Sequence, residues 1–531
     1  MSDQPIDLQR EIDRRRTFAI ISHPDAGKTT MTEKLLLYGG ALHIAGAVKS
    51  RKSARHAVSD WMEMEKEKGI SITSSVLQFD YKGCRVNLLD TPGHADFSED
   101  TYRTLSAVDG AIMLIDAAKG VEARTRRLFE VCRMRNLPIL TFVNKMDRPT
   151  LDPLDLMDDV GTSLNVGTVA LNWPIGSADT FTGVLDRRND EALLFDHAER
   201  GSMQVPTRST TLDDPEIRAR IGDDAHDDLI ESAELIAEAG DPWDLERFLA
   251  GELTPFFFGS AMTNFGVGPF LDALVDLTPP PQPRASISGT RAPTDENFSA
   301  FVFKIQANMN PRHRDRIAFM RVVSGAFERG MNATLARTGR SIRLAKPHSF
   351  MASERALVES AVAGDIVGLY DSGELRIGDT LHAGPEVRYQ SIPRFAPEFF
   401  ARVRLKDPTR RKHLKTGLMQ LSHEGTIQLF QAKYADVEPY VGAVGMLQFE
   451  VLKVRLKNEY RVEVALDPAP FHAARWIGGD QAGQDWLDAR SDYLVVYDRN
   501  EAPVLLAQTA WSLQYALQEA PGLELFDVSP L

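Results

Sequence analysis

Cysteine is almost missing from this 531-residue sequence: Cys84 and Cys132 are the only two. A disulfide framework is thereby excluded, and the usage fits a reducing compartment. Long apolar runs are missing too. The polar start MSDQPIDLQREIDRRR leads into TFAII, which stops at Ser22-His23-Pro24, too short for the apolar region of a secretory signal. No stretch approaches the length that spans a bilayer, so the expected location is cytoplasmic. An excess of positive charge is missing as well. The formal net charge of −14 argues against a generic nucleic-acid coat, although local contacts with RNA depend only on where basic groups sit. Internal repeats and low-complexity tracts are absent. The 43% hydrophobic and 26% charged content is that of a soluble globular protein, and the length calls for two to four domains rather than one core.

From Thr17 to about Asp276, β-rich apolar runs alternate with helical patterns. TFAIIS precedes KTTMTEKLLLYGG, which reads as an amphipathic helix stopped by a glycine pair. VLQFDY and CRVNLLD read as a strand pair around a Lys82-Gly83 turn. AIMLID and LPILTFVN are short, continuous apolar runs, the pattern of strands buried on both faces. This alternation predicts an α/β fold, a doubly wound and mostly parallel sheet over residues 1–280, with a more acidic, less regular insertion at about 155–250. Pro279-Pro280-Pro281-Gln282-Pro283 breaks the pattern and marks a linker over 281–297. Short runs such as AFVFKI, IAFMRVVSG and DIVGLY, separated by glycine-containing turns, predict a β-barrel over 298–387. Residues 388–531 return to mixed patterns and read as an α+β domain.

Four motifs stand at the ends of the apolar runs. Ser22-His23-Pro24-Asp25-Ala26-Gly27-Lys28-Thr29-Thr30 follows a strand and opens a helix, the context of a phosphate-binding loop. Amides of the loop and first helical turn point at phosphates, aided by the helix dipole. Lys28 is expected to bridge the β- and γ-phosphates and the Thr29 hydroxyl to ligate Mg²⁺. Ser22 stands where the strict pattern has its first glycine. Asp90-Thr91-Pro92-Gly93 closes the next strand: Asp90 can hold Mg²⁺ through water, and the Gly93 amide can reach a γ-phosphate, although DTPG alone is also ordinary turn chemistry. Asn144-Lys145-Met146-Asp147 ends LPILTFV. The Asp147 carboxylate can accept from both N1–H and the N2 amino group of guanine, a donor pair adenine lacks, and such pairing discriminates strongly. Asn144 is expected to tie the base loop to the phosphate loop, and the Lys145 stem to lie along the base. Gly259-Ser260-Ala261, after TPFFF, is expected to bring a backbone amide to guanine O6. Together these predict a phosphate-loop GTPase domain binding GTP or GDP with Mg²⁺.

Glu67-Lys68-Gly69-Ile70-Ser71-Ile72-Thr73 has no clear period, and Thr73 is a candidate second hydroxyl ligand for Mg²⁺ in a segment that orders only with γ-phosphate. His94 follows Gly93 and is the candidate catalytic residue, placed to orient the attacking water. No arginine is identified by spacing as an activating finger, so slow intrinsic turnover and activation by a partner are expected. The basic run Arg402, Arg404, Lys406, Arg410, Arg411, Lys412 and Lys415, interrupted by Asp407, reads either as a solvated charge run or as an RNA-facing surface.

SHPDAGKTT, SDWMEMEKEKGISIT, DTPGHADFSEDTYRTL and VNKMD, with FVFKIQANMNPRHRDRIAFMRVVSG and VGAVGMLQFEVLKVRLKNEY further on, resemble the translational GTPases, and look closest to their class II release factor family. The resemblance runs from about Arg15 to Tyr460 and fades in the 155–250 stretch and after about Ala474. Lys68 stands where that family has arginine. It implies a G domain and barrel similar to those of elongation factor G. It also implies a ribosome-stimulated GTPase that promotes dissociation of class I peptide release factors after peptide release without reading the stop codon. The implied partners are the ribosome and, through it, the class I factors, with the chain itself a monomer and no membrane involved. Three other readings stay open. One is a translocating or ribosome-protecting GTPase of the elongation factor G type, for which the chain ends soon after its linker. Another is an elongation factor Tu-like GTPase attached to a metabolic enzyme. The third is a module that binds GTP without hydrolysing it, against which the set Lys28, Thr29, Thr73, Asp90 and His94 argues.

Overall fold

The computed structural model describes residues 7–41, 75–92, 96, 98–196, 204–239, 241–307, 316–351, 354–390, 392, 396–432, 438–490 and 492–527. Short helix α1 (Leu8–Asp13) leads into β1 (Arg15–Ser22), followed by α2 (Lys28–Tyr38), β2 (Ser75–Tyr81), β3 (Cys84–Asp90), α3 (Ser98–Leu105), β4 (Gly110–Asp116), α4 (Ala123–Arg133), β5 (Ile139–Asn144), α5 (Pro153–Leu164) and β6 (Gly167–Ala170). Next come β7 (Asn172–Ile175), β8 (Gly183–Asp186), β9 (Glu191–Phe195), β10 (Thr207–Thr210), α6 (Pro215–Ile221), α7 (Asp223–Ala239), α8 (Leu245–Leu249), β11 (Leu253–Phe258) and α9 (Val267–Leu277).

Seven strands form one sheet in the order β2-β3-β1-β4-β5-β11-β6. All neighbours are parallel except the β2–β3 hairpin, whose Lys82 and Gly83 both take positive φ, as a two-residue turn between strands requires. Side chains alternate across a strand, so Phe18 and Ile20 join a core with Met31, Leu35, Phe270 and Leu274 of α2 and α9. Ala19 and Ile21 join the opposite one with Phe129, Leu156 and Val160 of α4 and α5. The doubly wound α/β layer follows from strands that are apolar on both faces.

Three details differ from the sequence pattern. Helix α2 is buried around most of its circumference, Glu33 and Lys34 included, rather than amphipathic. Burial pushes the Lys34 ammonium down to about 8 despite the offsetting charge of Glu33. Within the stretch read as an insertion, α5 and β6 belong to the main layer, with β6 as the edge strand beside β11. The separate part is the antiparallel sheet β10-β9-β8-β7 with α6 and α7. The proline-rich linker carries a small hairpin, Arg284–Ser286 with Gly289–Arg291.

Beyond it lies the barrel, whose main sheet has eight strands. Its long pair is Ser299–Ala307 with Arg316–Ser324, the latter buried along its whole length. The barrel docks on the first sheet through a turn at 362–366. Arg15 pairs with Asp365 at 3.1 Å, both side chains being buried, while Thr17 Oγ1 and Asn87 Nδ2 donate to the Gly364 carbonyl and Gln78 Nε2 donates to that of Ile366.

The C-terminal α+β domain is a second eight-stranded sheet, packed with helices Arg411–His423, Met446–Tyr460, Gln481–Asp488 and Ala510–Glu519. The tail after Ala474 continues this sheet, joined through Gln431–Tyr497 and Ala432–Val496 pairing. No helix among the described residues is long and apolar enough to cross a membrane.

Candidate functional site

Parallel pairing lines up the carboxyl ends of β1, β3, β4, β5 and β11 at one edge of the first sheet, where doubly wound folds bind ligands. Register brings Ile20 beside Asp90, Ser22 beside Leu114, Asp116 beside Asn144 and Phe258 beside Val143. Ser22 through Thr30, Asp90 through Pro92, Asn144 through Asp147, and Ser260 and Ala261 therefore gather there. Gly93, His94 and Thr73, with the rest of 67–73, lie outside the described residues.

The loop after β1 turns back on itself with an Ala26 N–H to His23 carbonyl bond of 3.3 Å, Asp25 at φ 68° and Gly27 at φ 99°. Gly27 opens α2 in the left-handed region, and a Cβ there would fall well inside van der Waals contact with Asn144 Nδ2. Both the backbone and the space demand glycine. Ser22 Oγ and His23 Nδ1 are buried without a hydrogen-bond partner, and His23 Nε2 lies 2.9 Å from Glu122. Lys28, at the start of α2, forms an ion pair with Asp90, both side chains buried. The two groups expected to take phosphate and metal thus stand side by side with opposite charges. Thr91 Oγ1 donates to the Ile20 carbonyl at 2.6 Å, fastening the Asp90 loop to β1. The orphaned polar atoms and the buried Lys28–Asp90 pair at the start of α2 suit a polyphosphate with Mg²⁺.

On the base side, Asn144 performs the expected tie: its Nδ2 donates to the Ala26 carbonyl at 2.8 Å and its Oδ1 accepts from the Ala261 N–H at 2.8 Å. Of the stretch expected to bring an amide to guanine O6, Gly259 and Ser260 donate to the Val143 and Phe265 carbonyls at 3.0 and 2.9 Å and Ala261 to Asn144. Ser260 Oγ donates to Asp147 Oδ1 at 2.7 Å and fixes the carboxylate's orientation. Met146 is buried in the core, its N–H donating to the Gly259 carbonyl at 3.2 Å, so it holds the loop by packing.

Asp116 is the residue that sequence reading passed over. It ends β4 and accepts from Lys145 Nζ at 2.6 Å and from the Ala118 N–H at 3.0 Å. Burial would raise its pKa, but Lys145 and the Ala118 amide outweigh that and hold it below the usual carboxylate range. Lys145, at φ 74°, has its ammonium anchored there, which fixes the stem expected to lie along a base. The available signal was the acidic end of AIMLID, in a row of strand ends that each carry a motif.

Asp96 and α3 reach the C-terminal domain. Asp96 Oδ2 accepts from the Leu447 N–H at 2.7 Å, at the first turn of helix Met446–Tyr460. Arg103 of α3, paired with Glu99 at 2.9 Å, points its guanidinium at the Glu424 and Gly425 carbonyls. A Cβ on Gly445 would strike the Asp96 carboxyl group, and one on Gly425 would strike the Arg103 guanidinium. Of the basic run, Arg402, Arg404, Lys406 and Arg410 pair with Glu438, Asp467, Glu463 and Asp407 at 3.4, 2.9, 3.6 and 3.9 Å on the exposed face.

A doubly wound sheet with a phosphate loop and a base-reading loop, joined to a barrel and an α+β domain, defines a translational GTPase. The model of the elongation factor Tu GTP binding domain matches residues 13–280, that of elongation factor G domain 2 matches 297–384, and that of the class II release factor RF3, C-terminal domain, matches 389–517. The chain is 54% identical over 519 residues to peptide chain release factor 3 of Symbiobacterium thermophilum, covering 97% of this chain and 98% of that one. It is 52% identical over 524 residues to the protein of that name from Synechocystis sp., covering 98% and 95%. It is 50% identical over 531 residues to that of Cyanothece sp., covering 100% and 98%. The chain belongs to the peptide chain release factor 3 family. Its fold is also similar to the crystal structure of a protein from Thermus thermophilus, with a TM-score of 0.69 and 23% identity over 92% of this chain and 72% of that one. The chain binds guanine nucleotide and hydrolyses GTP, and its family works on the ribosome.

Proposed function

We propose that this chain acts after the nascent peptide has been freed. In that reading its GTP state drives class I release factors off the ribosome, and hydrolysis then lets the chain itself leave. It acts as a cytoplasmic monomer and does not read the stop codon. The observation that carries the reading is the double link that Asp96 and Arg103 of α3 make to the C-terminal domain. Asp96, six residues past Asp90, accepts from the first turn of helix Met446–Tyr460, so the phosphate side of the site is joined to the domain that matches the release-factor model.

Within the site, Lys28 and the amides of 23–29 would hold the β- and γ-phosphates, and Asp147, steadied by Ser260, would select guanine. Thr29, Thr73 and Asp90 would hold Mg²⁺, which when bound offsets charge on the phosphate oxygens. His94 would orient the attacking water, a task that contributes about 10²–10⁴-fold in positioned acid–base groups. The His94→Ala variant is expected to bind GTP normally and to lose ribosome-stimulated turnover by that factor. Near-normal stimulated turnover would remove the assignment.

The cellular step is tested on post-release ribosomes carrying a labelled class I factor. Dissociation is expected with GTP and with a non-hydrolysable analogue, whereas departure of this chain requires GTP. An unchanged class I factor in both arms would remove the release reading and leave GTP hydrolysis standing.

A further inference from the structure

A cavity of about 310 Å³ lies between the GTP-binding domain and the barrel, beneath the proline-rich linker. Three arginines line it, each from a different segment: Arg135 just past α4, Arg284 at the start of the linker hairpin and Arg321 in barrel strand Arg316–Ser324. Each gives one N–H to one of three successive carbonyls at the end of α3. Arg135 Nη1 donates to Leu105 at 3.2 Å, Arg284 Nη1 to Ser106 at 2.9 Å and Arg321 Nη1 to Ala107 at 3.0 Å. Arg321 Nη2 also binds Asp109 at 2.5 Å.

A helix carboxyl end supplies roughly half a negative charge and Asp109 one more, so three guanidinium groups are left with a clear positive excess. Each guanidinium has five N–H donors. Among the described residues these four bonds are the hydrogen bonds the three groups make, and most of their donors have no protein acceptor. The groups also repel each other. Arg284 is pushed down to about 9, first by burial and then by Arg135 and Arg321, and Arg135 is lowered by burial, with Arg321 adding to it. Packing keeps Arg284 in place regardless, since its guanidinium lies 3.9 Å from the ring centre of Phe301.

A cluster of like charges around a cavity of that size is the arrangement an anion neutralises. Guanidinium groups bind oxyanions in pairs of parallel bonds. Three of them converging from three segments need an anion with more than the two coplanar oxygens of a carboxylate. We propose that this cavity is a binding site for a phosphate dianion, free or as a small phosphate monoester, that joins the GTP-binding domain to the barrel.

The test uses the full chain saturated with a non-hydrolysable GTP analogue and Mg²⁺, so that the β- and γ-phosphate positions at Lys28 are both filled and cannot supply the signal. Inorganic phosphate and, separately, ribose 5-phosphate are titrated by calorimetry at constant ionic strength against chloride. One saturable site is expected. Binding of phosphate alone identifies the free ion as occupant, and binding of the sugar phosphate alone identifies a monoester. Arg284→Gln and Arg135→Gln are each expected to weaken binding about tenfold or more, the loss of one charge-assisted contact, while GDP affinity stays unchanged. Should either fail to fold, Asn136→Asp serves: Asn136 is an exposed residue on the cavity's rim with a positive φ that Asp tolerates. There the added charge is expected to weaken phosphate several-fold. The proposal is overturned if the wild-type chain gives no saturable binding with either probe, or if the arginine variants, or Asn136→Asp in their place, bind as the wild type does.

Discussion

At the residue scale the site depends on side chains that serve two elements at once. Asn144 holds the phosphate loop and the base loop in the same pair of bonds, and Gly27 is the space it occupies. Gly27→Ala forces a methyl group against Asn144 in a backbone region that already disfavours it, a strain of about 1–3 kcal/mol. Fluorescent-GDP titration of that variant is expected to give at least tenfold weaker binding, together with a lowered melting temperature. Asp116 adds a pH dependence. Its folded pKa is below its unfolded value of about 3.9, so its contribution is present above that value and is lost as pH falls through the lowered folded pKa. Asp116→Asn should remove this acid-sensitive part of stability and release Lys145, weakening GDP more than it changes the melting temperature at pH 7. Equal GDP affinity in variant and wild type would count against Lys145 acting on the base. The gathering of Lys28, Asp90, Asn144 and Asp147 could be anticipated because each follows an apolar run, and parallel strands bring such ends to one edge. The Lys28–Asp90 pair and the Asp116 anchor could not, because partners across a sheet depend on register, which a run of apolar letters does not encode.

Among elements, the strands and helices of the first sheet were legible wherever apolar runs were continuous. Helix α2 misled because its Glu33 and Lys34 are buried, and polar residues in a helical run read as a solvent face. The linker hairpin was hidden by the prolines just before it, at 279–281 and 283, which read as the start of a tether. Helix Met446–Tyr460 was visible by period, yet its cap was not, since Asp96 comes from 351 residues away. Asp96→Ala removes an N-terminal acceptor worth about 1 kcal/mol. Faster amide hydrogen exchange is expected at Leu447 and its neighbours in that variant, with the rest of the helix unchanged.

For the whole molecule, the first sheet and the barrel are tied by the buried pair Arg15–Asp365, with the partly exposed Glu11 also on Arg15. Arg15→Met leaves Asp365 buried without its cation, which costs about 3–5 kcal/mol. Chemical denaturation should show that loss, and adding Asp365→Asn should recover part of it. Contacts with the third domain are of another kind, because Gly425 and Gly445 are shaped around Arg103 and Asp96 of the GTP-binding domain. Their history should therefore be one-directional. A lineage that shortens Asp96 or Arg103 frees the facing glycine to drift, whereas a lineage that first acquires a side chain at 445 or 425 is blocked until its partner has changed. Reconstructed ancestors of this family should record the substitutions in that order.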